Sequence, residues 1–168
     1  PWLEEVRVTT RVPARFPWEM AGLHHRAPRV RWADLGVEGT NGPLPGDGTP
    51  ASLLLPMGHR GPAFLVYDNF GVFLRWNQSL VYSSTAAYFA TRLDGAPSVR
   101  LGDPEPGLDR DALIQLQGIL TGLGHDVGEI DGILGARTRD AVRREQQRLG
   151  LPADAWPTIG LLRALWEG

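Results

Sequence analysis

The feature that most constrains the fold is a leucine stripe that follows a good helix cap and stops at a glycine. Asp109 can cap a helix, and Leu108 can pack against Leu113 as a hydrophobic staple. The stripe recurs at steps of three, four and three residues and consists of Leu113, Leu116, Leu120 and Leu123. Gly124 predicts the end of this helix, because glycine readily adopts the left-handed conformation of a C-terminal cap.

Two further helices are predicted downstream. One should run from about residue 136 to about residue 149, and Gly150-Leu151 should stop it. A shorter one should begin near Pro157 or Thr158, because proline suits the first turn of a helix. The inward side chains are expected to be Ala141, Val142, Leu149, Leu161, Leu162 and Leu165. The pattern therefore predicts a small three-helix bundle.

The loop between the first two of these helices has the composition of a tight turn. Gly132 and Gly135 can both adopt a positive φ angle, and the Asp131 carboxylate can hydrogen-bond the turn backbone. The side chains expected to plug the helix pair are Ile130, Ile133 and Leu134. We interpret Asp131 and Gly132 as structural rather than functional.

Residues 107–165 resemble the peptidoglycan-binding domain found at the ends of many bacterial wall-active enzymes. The matching residues include Leu116-Gln117, Leu120, Gly124, Ile130-Asp131-Gly132-Ile133-Leu134-Gly135, Thr138, Ala141-Val142, Gln146 and Gly150-Leu151. Ala136 departs from the pattern where a proline is common, and Glu145 departs where an aromatic residue often precedes the glutamine. The resemblance implies a wall-binding module in which Arg137 and Thr138 are exposed substrate-binding candidates. Arg137 could hold a stem-peptide carboxylate with two parallel hydrogen bonds.

A second resemblance lies upstream. The run Asn69-Phe70-Gly71-Val72-Phe73-Leu74-Arg75-Trp76-Asn77-Gln78-Ser79-Leu80-Val81-Tyr82 resembles the closing motif of lytic murein transglycosylases of the B type. In those enzymes a strand-like run ends in Tyr-Asn-x-Ser and enters a helix, and here Trp76 replaces the tyrosine. The resemblance implies that Asn77 binds the sugar N-acetyl group or an oxazoline-like intermediate, with Trp76 stacking beside it. From local pattern alone, Asn77 could be a helix cap and Trp76 a core residue.

The residues before this motif read as short strands and turns. Glycine and proline recur throughout residues 36–61, which excludes a long helix there. Residues 51–55 and 63–67 are apolar runs of strand length, and residues 57–62 are predicted to form the hairpin turn between them. A helix is predicted over residues 79–93, with one apolar face formed by Tyr82, Ala86, Phe89 and Leu93. The segments before residue 69 resemble, in their order, the β-rich domain that the B-type enzymes carry just before the closing motif.

These signals predict an α+β chain of two units. Residues 1–95 would form a β-rich region and the C-terminal end of the transglycosylase core, and residues 107–168 the peptidoglycan-binding domain. Residues 96–106 hold four helix breakers in eleven positions and predict a semi-rigid linker, with few contacts between the units.

The resembling enzymes cleave the bond between N-acetylmuramic acid and N-acetylglucosamine to a 1,6-anhydro product with one catalytic glutamate, on a helix before the insert. Such a general acid needs a buried carboxyl group with a raised pKa. The glutamates of this chain all lie in polar, turn or charged contexts: Glu4, Glu5, Glu19, Glu38, Glu105, Glu129, Glu145 and Glu167. We therefore expect the catalytic glutamate to lie outside this chain, and the chain alone to be inactive. The alternative is a non-enzymatic protein that anchors to the wall.

Other kinds of site are disfavoured. Residues 126–137 break the ligand pattern of a calcium-binding EF-hand loop, and His24-His25, His59 and His125 lack the spacing of a zinc site. The helix over residues 136–149 carries Arg137, Arg139, Arg143, Arg144 and Arg148, which could suggest nucleic-acid binding. Asp140, Glu145 and a net charge of −2 favour a salt-bridged exposed face instead. We expect no metal, no cofactor and no nucleic acid.

The expected partner is peptidoglycan, both its glycan strands and its stem peptides. No apolar run approaches the length of a membrane span, and the absence of cysteine fits a wall-facing compartment without excluding others. We expect a monomer in the periplasm, with attachment to the cell envelope an option for the full-length protein.

Overall fold

The computed structural model describes residues 2–9, 16–76 and 80–167. A five-stranded antiparallel sheet occupies the first part of the chain, and helices occupy the rest. The predicted α+β class is therefore confirmed. Within the described ranges, no helix is long and apolar enough to cross a membrane.

The sheet is built from five short strands in the order β2-β4-β5-β1-β3. They are β1 (Leu3–Val8), β2 (Ala27–Pro28), β3 (Val37–Gly39), β4 (Pro50–Leu54) and β5 (Ala63–Val66). Strands β4 and β5 form the predicted hairpin, with Ser52 opposite Val66 and Leu54 opposite Phe64. A short helix, α1 (Arg29–Asp34), packs on the sheet, and its buried Trp32 donates an indole hydrogen bond of 2.9 Å to the Ala51 carbonyl.

Strand β5 is apolar throughout because both faces of the sheet are covered. Ala63 and Leu65 belong to a core with Trp32 and other side chains of the β-rich region. Phe64 and Val66, which point the other way, belong to a second core beneath two helices. Continuous rather than alternating hydrophobicity is what a strand buried on both faces requires.

The two helices on that second face are α2 (Phe70–Trp76) and α3 (Leu80–Leu93). The expectation that the run before Trp76 is strand-like is wrong, because residues 70–76 form α2. Helix α3 is close to the predicted range, and the side chains of Tyr82, Phe89 and Leu93 on its predicted apolar face are exposed. The buried face of α3 instead carries the small residues Ser83, Ser84 and Ala87.

The downstream helices are α4 (Arg110–Gly122), α5 (Ala136–Arg148) and α6 (Ile159–Glu167), close to the predicted positions. The Asp109 carboxylate caps α4 by accepting a hydrogen bond of 2.9 Å from the Ala112 backbone. The three helices share one core of Leu113, Leu116, Leu120, Val127, Ala141, Val142, Leu161, Leu162 and Leu165. Leu123, the last leucine of the stripe, is exposed, contrary to expectation, because it is the C-cap residue and lies just beyond the end of α4.

Both predicted glycine stops are confirmed. Gly124 has φ 89°, and the next residue, His125, donates its N–H to the Leu120 carbonyl at 3.0 Å. Gly150 has φ 68°, and Leu151 donates to the Gln146 carbonyl at 2.8 Å. Hydrogen bonds that reach back five residues around a left-handed residue are the signature of a Schellman motif.

The loop between α4 and α5 differs from the prediction in which of its side chains pack between the helices. Gly132 has the expected positive φ of 74°, but Gly135 has φ −80° and serves as the N-cap residue of α5. Ile130 and Ile133 are exposed, and Val127 enters the core instead. The loop is held by the buried amide of Gln117, which accepts from the Gly132 backbone at 2.8 Å and donates to the Ile133 carbonyl at 3.1 Å.

Residues 96–106 contain no helix or strand, yet they lie against the β-rich region. The Arg100 backbone donates to the Glu5 carboxylate at 2.8 Å, and the Asp103 backbone donates to the Arg60 carbonyl at 3.0 Å. The expectation of few contacts between the two units is wrong, because α5 and the loop after it also contact the β4–β5 turn.

Candidate functional site

Trp76 ends helix α2 on the surface of the molecule. Its side chain is 70% exposed, and its ring meets that of Tyr82 edge to face, with 5.4 Å between the centroids. The core alternative for Trp76 is therefore wrong. Asn77 lies outside the described residues. A tryptophan this exposed offers ring surface for stacking on a ligand.

Trp76 is one of several exposed large apolar side chains on helices α2 and α3, which together we call the α2–α3 surface. It comprises the exposed side chains Val72, Trp76, Val81, Tyr82, Phe89 and Leu93. Val72 and Trp76 are four residues apart, and Phe89 and Leu93 are also four apart, so each pair lies on one face of its helix. Single exposed apolar residues are normal on a folded protein, but six of them on two consecutive helices favour a contact surface.

Arg137 lies in the first turn of α5, with 67% of its side chain exposed. Its guanidinium donates to the two oxygens of Asp126 at 3.3 and 3.4 Å. The pKa of Asp126 is lowered, chiefly because its carboxylate accepts from the Gly128 backbone and also because Arg137 is near. An exposed ion pair is weak, so a ligand carboxylate could replace Asp126 on Arg137.

Thr138, the other candidate of this module, is only 1% exposed. Its hydroxyl donates to the Val127 carbonyl at 3.3 Å and accepts from the Gln117 amide at 3.3 Å. The expectation that Thr138 is exposed is wrong, because its buried hydroxyl forms hydrogen bonds that stabilise the α4–α5 loop. The Asp131 carboxylate has the expected turn role, since it accepts from the Ile133 backbone at 2.8 Å.

The eight glutamates all lie in the described ranges, and Glu145 alone among them is buried, with 4% exposed. Burial would raise its pKa, but hydrogen bonds from His125 at 2.7 Å and Arg148 at 2.8 Å lower the pKa below its ordinary value. The buried position was not expected from the sequence. A carboxyl group with a lowered pKa is ionised near neutral pH, so Glu145 is unsuited to donate a proton.

The sequence did not reveal a contact between the β4–β5 turn and the loop that follows α5. One oxygen of Asp154 accepts from His59 twice, from the backbone N–H at 2.9 Å and from Nδ1 at 2.6 Å. The other oxygen accepts from Gln146 and from the Trp156 backbone, both at 2.9 Å. Burial would raise the pKa of Asp154, but these hydrogen bonds lower it below its ordinary value. Asp154 is therefore a buried, ionised carboxylate that joins the two units.

Arg139 forms a second contact across the same boundary. It is 7% exposed, although its helix was expected to carry a solvated arginine face. Its guanidinium donates to the Pro56 carbonyl at 3.0 Å and lies 5.7 Å from the centroid of the Trp156 ring. Burial, followed by the nearby Arg143, lowers the pKa of Arg139 to about 10. The Trp156 indole in turn donates to the Glu105 carbonyl at 2.9 Å.

A groove of about 300 Å³ opens at this boundary. Residues 57–60 of the β4–β5 turn form one wall, and Leu151, Pro152, Trp156 and Ala164 of the downstream unit contribute to the other. We call it the seam groove. It could not be found from the sequence, because its two walls are separated by about ninety residues and no local motif marks either. Within the described ranges, no group of three histidine, aspartate or glutamate side chains is arranged to hold a metal ion.

Comparison with known proteins identifies related families on both units. Residues 1–91 match the family described as transglycosylase SLT domain, and residues 109–165 match the family described as peptidoglycan binding domain. Comparison with curated protein sequences gives no match.

Two solved structures are similar over almost the whole chain. Both are crystal structures of SltB3 from Pseudomonas aeruginosa, one in complex with NAG-anhNAM-pentapeptide and one with NAG-NAM-pentapeptide. The first has 44% sequence identity and a TM-score of 0.81 over 99% of this chain. The second has 43% identity and a TM-score of 0.80 over 98% of this chain. In both comparisons the match spans 44% of the length of the solved chain.

Proposed function

We propose, because the chain belongs to the transglycosylase SLT domain family and carries a peptidoglycan-binding domain, that it recognises peptidoglycan as the C-terminal part of a lytic transglycosylase. The parent enzyme would cleave the bond between N-acetylmuramic acid and N-acetylglucosamine and release 1,6-anhydro products in the periplasm. The observation that carries the proposal is the α2–α3 surface around Trp76, in a chain that matches less than half of SltB3. The remaining part of a longer protein would cover much of this surface and complete a cleft beside Trp76.

The proton donor of this reaction would come from outside the chain. A single carboxyl group has to protonate the leaving oxygen and later deprotonate the attacking 6-hydroxyl, which requires a pKa raised by burial. Glu145 is buried but has a lowered pKa, and the other seven glutamates are partly or fully exposed. None of the eight therefore has the surroundings that such a donor needs.

Trp76, Asn77 and Arg137 would share substrate recognition. Trp76 has the exposure that stacking on a sugar ring requires, and Asn77, the next residue, would bind the N-acetyl group. Arg137 would hold a stem-peptide carboxylate in place of Asp126. Thr138 has no part in this proposal, because its buried hydroxyl is already bonded within the α4–α5 loop.

A non-enzymatic wall anchor is the second candidate, and the lack of a suitable glutamate in this chain favours it. The two candidates differ in what the full-length protein does to purified sacculi. An enzyme releases 1,6-anhydro-muropeptides, which chromatography of the soluble fraction detects, whereas an anchor only pellets with the sacculi. Release that is lost on Trp76→Ala and retained in Arg75→Ala, a neighbouring control, would support the enzyme.

The chain studied by itself should bind sacculi and release nothing. Pelleting with sacculi tests recognition, and chromatography of the same samples tests catalysis. Anhydro products released by the chain alone, at any pH, would contradict the proposal that the proton donor lies elsewhere.

A further inference from the structure

The seam groove has the size and the mixed walls of a small-molecule site. Its volume of about 300 Å³ is at the lower end of the range for ligand pockets. Trp156, Leu151 and Ala164 give it an apolar wall, and His59 and Thr158 add polar atoms. Because its walls come from both units, such a site exists only while they are docked together.

His59 is fixed in an orientation that leaves one ring nitrogen for a ligand. Nδ1 lies 2.6 Å from the Asp154 carboxylate and so carries the proton, and the ring packs against Trp18 with 5.0 Å between centroids. Among the described residues, no side chain or backbone group bonds Nε2. The His59 side chain is 26% exposed, so Nε2 can hydrogen-bond a ligand hydroxyl or amide.

The charges around the groove favour a neutral ligand. Arg60, the arginine on the groove wall, is paired with Asp103 and also lies 3.5 Å from Glu105. Asp154 is ionised and paired with His59. The lining also carries two acidic side chains, Glu105 and Asp154, which would repel a stem-peptide carboxylate. N-Acetylglucosamine carries no charge, and it combines hydroxyl and amide groups with apolar C–H and methyl surfaces.

We infer that the seam groove binds an N-acetylated sugar of the peptidoglycan glycan strand. His59 Nε2 and the Thr158 hydroxyl would hydrogen-bond the sugar, and Trp156 with Leu151 would contact its apolar surfaces. This inference rests on the proposed function and adds a glycan site to it, away from Trp76 and from Arg137. The wall-binding module would then read glycan together with the β4–β5 turn rather than alone.

The test is calorimetric titration of the chain with tetra-N-acetylchitotetraose, a glycan without stem peptides. Ala164→Tyr places a ring in the groove, and the expected result is a loss of affinity of about tenfold or more. Arg163→Tyr is the matched control, because Arg163 is the exposed neighbour on α6 and does not line the groove. Its affinity should stay within about twofold of the unmodified chain, since groove residues and not the surrounding surface would carry the binding energy.

A second measurement keeps the inference testable if Ala164→Tyr fails to fold. In the unmodified chain, NMR signals of the His59 ring and the Trp156 indole should shift as the sugar is added, and a synthetic stem peptide should leave them in place. Unshifted signals, or a stem peptide that displaces the sugar, would overturn the inference. If sacculi still pellet with the chain while the groove ignores the sugar, the glycan site is wrong and the proposed function stands. If sacculi do not pellet, the proposed function itself fails.

Discussion

The buried guanidinium of Arg139 donates a hydrogen bond of 3.0 Å to the carbonyl oxygen of Pro56, 83 residues earlier in the chain. Its Nε atom is buried and has no hydrogen-bond partner among the described residues, and burial lowers the pKa of the group to about 10. A buried cation is costly, so its retention needs compensating contacts. The Pro56 carbonyl and the face of Trp156 provide them, and the contact with Pro56 depends on the two units being docked.

Arg139→Ala should destabilise the chain by about 1–3 kcal/mol, because it leaves the Pro56 carbonyl unpaired and removes packing from Trp156. Urea unfolding followed by fluorescence measures the change. Arg144→Ala is the control, since Arg144 is exposed on the same helix and should change stability by less than about 0.5 kcal/mol. Equal effects of the two substitutions would mean that the contacts of Arg139 with Pro56 and Trp156 contribute nothing to the free energy of unfolding.

Leu116→Ala should cost about 2–5 kcal/mol, because it removes a fully buried side chain from the centre of the helical core. The matched control is Leu123→Ala on the same leucine stripe, where the side chain is exposed and little change is expected. Thermal midpoints of the two variants, measured under the same conditions, test the packing. If the thermal midpoint of Leu116→Ala equals that of the unmodified chain, the core described for α4, α5 and α6 is wrong.

The downstream unit could be predicted from the sequence because its signals are local. Asp109, Gly124 and Gly150 each act within one turn of the helix that they begin or end. The burial of Arg139 and Thr138 could not be predicted in this way. Each depends on a group elsewhere in the chain, the Pro56 carbonyl in one case and the Val127 carbonyl in the other.

In the α2–α3 region, the helical periodicity could be predicted but the packing of the helix could not. Helical periodicity correctly placed Phe89 and Leu93 on one face of α3, but periodicity alone does not say what covers that face. The sheet packs instead on Ala87 and the serines before it, because small residues allow a close approach. For the site, Trp76 is exposed, and its stacking role stays a prediction. The His59–Asp154 contact spans 95 residues and has no local signal.

Stability should fall as the pH is lowered from about 5 towards 3, and Asp154 should contribute to the fall. Its pKa is lower in the folded chain than in the unfolded chain, so the unfolded chain binds more protons as the pH falls through this window. The contribution of Asp154 is therefore complete above about pH 5 and is lost below it. Urea unfolding at several pH values measures the slope.

Asp154→Asn separates this residue from other carboxylates whose pKa values are also lowered, such as Glu145 and Asp131. The variant should be less stable by about 1–3 kcal/mol at pH 7, because its amide cannot satisfy every donor around it. Its loss of stability between pH 5 and pH 3 should be smaller than that of the unmodified chain. Asp34→Asn, at an exposed position, should keep the full slope. An unchanged slope in Asp154→Asn would exclude Asp154 as a source of acid sensitivity.

Arg137→Ala should weaken pelleting with intact sacculi by about 1.5–3 kcal/mol if its guanidinium holds a stem-peptide carboxylate with charge-assisted hydrogen bonds. Arg137→Lys should restore only part of the affinity, because an ammonium group cannot form the paired hydrogen bonds of a guanidinium. Folding should be unaffected in both, since Arg137 is exposed and pairs only with the exposed Asp126 among the described residues. The comparison is repeated with sacculi stripped of stem peptides by an amidase, where the two variants and the unmodified chain should bind alike. If the unmodified chain binds stripped and intact sacculi equally, Arg137 does not bind the stem peptide. Binding would then have to come from the glycan, for which the seam groove is the proposed site.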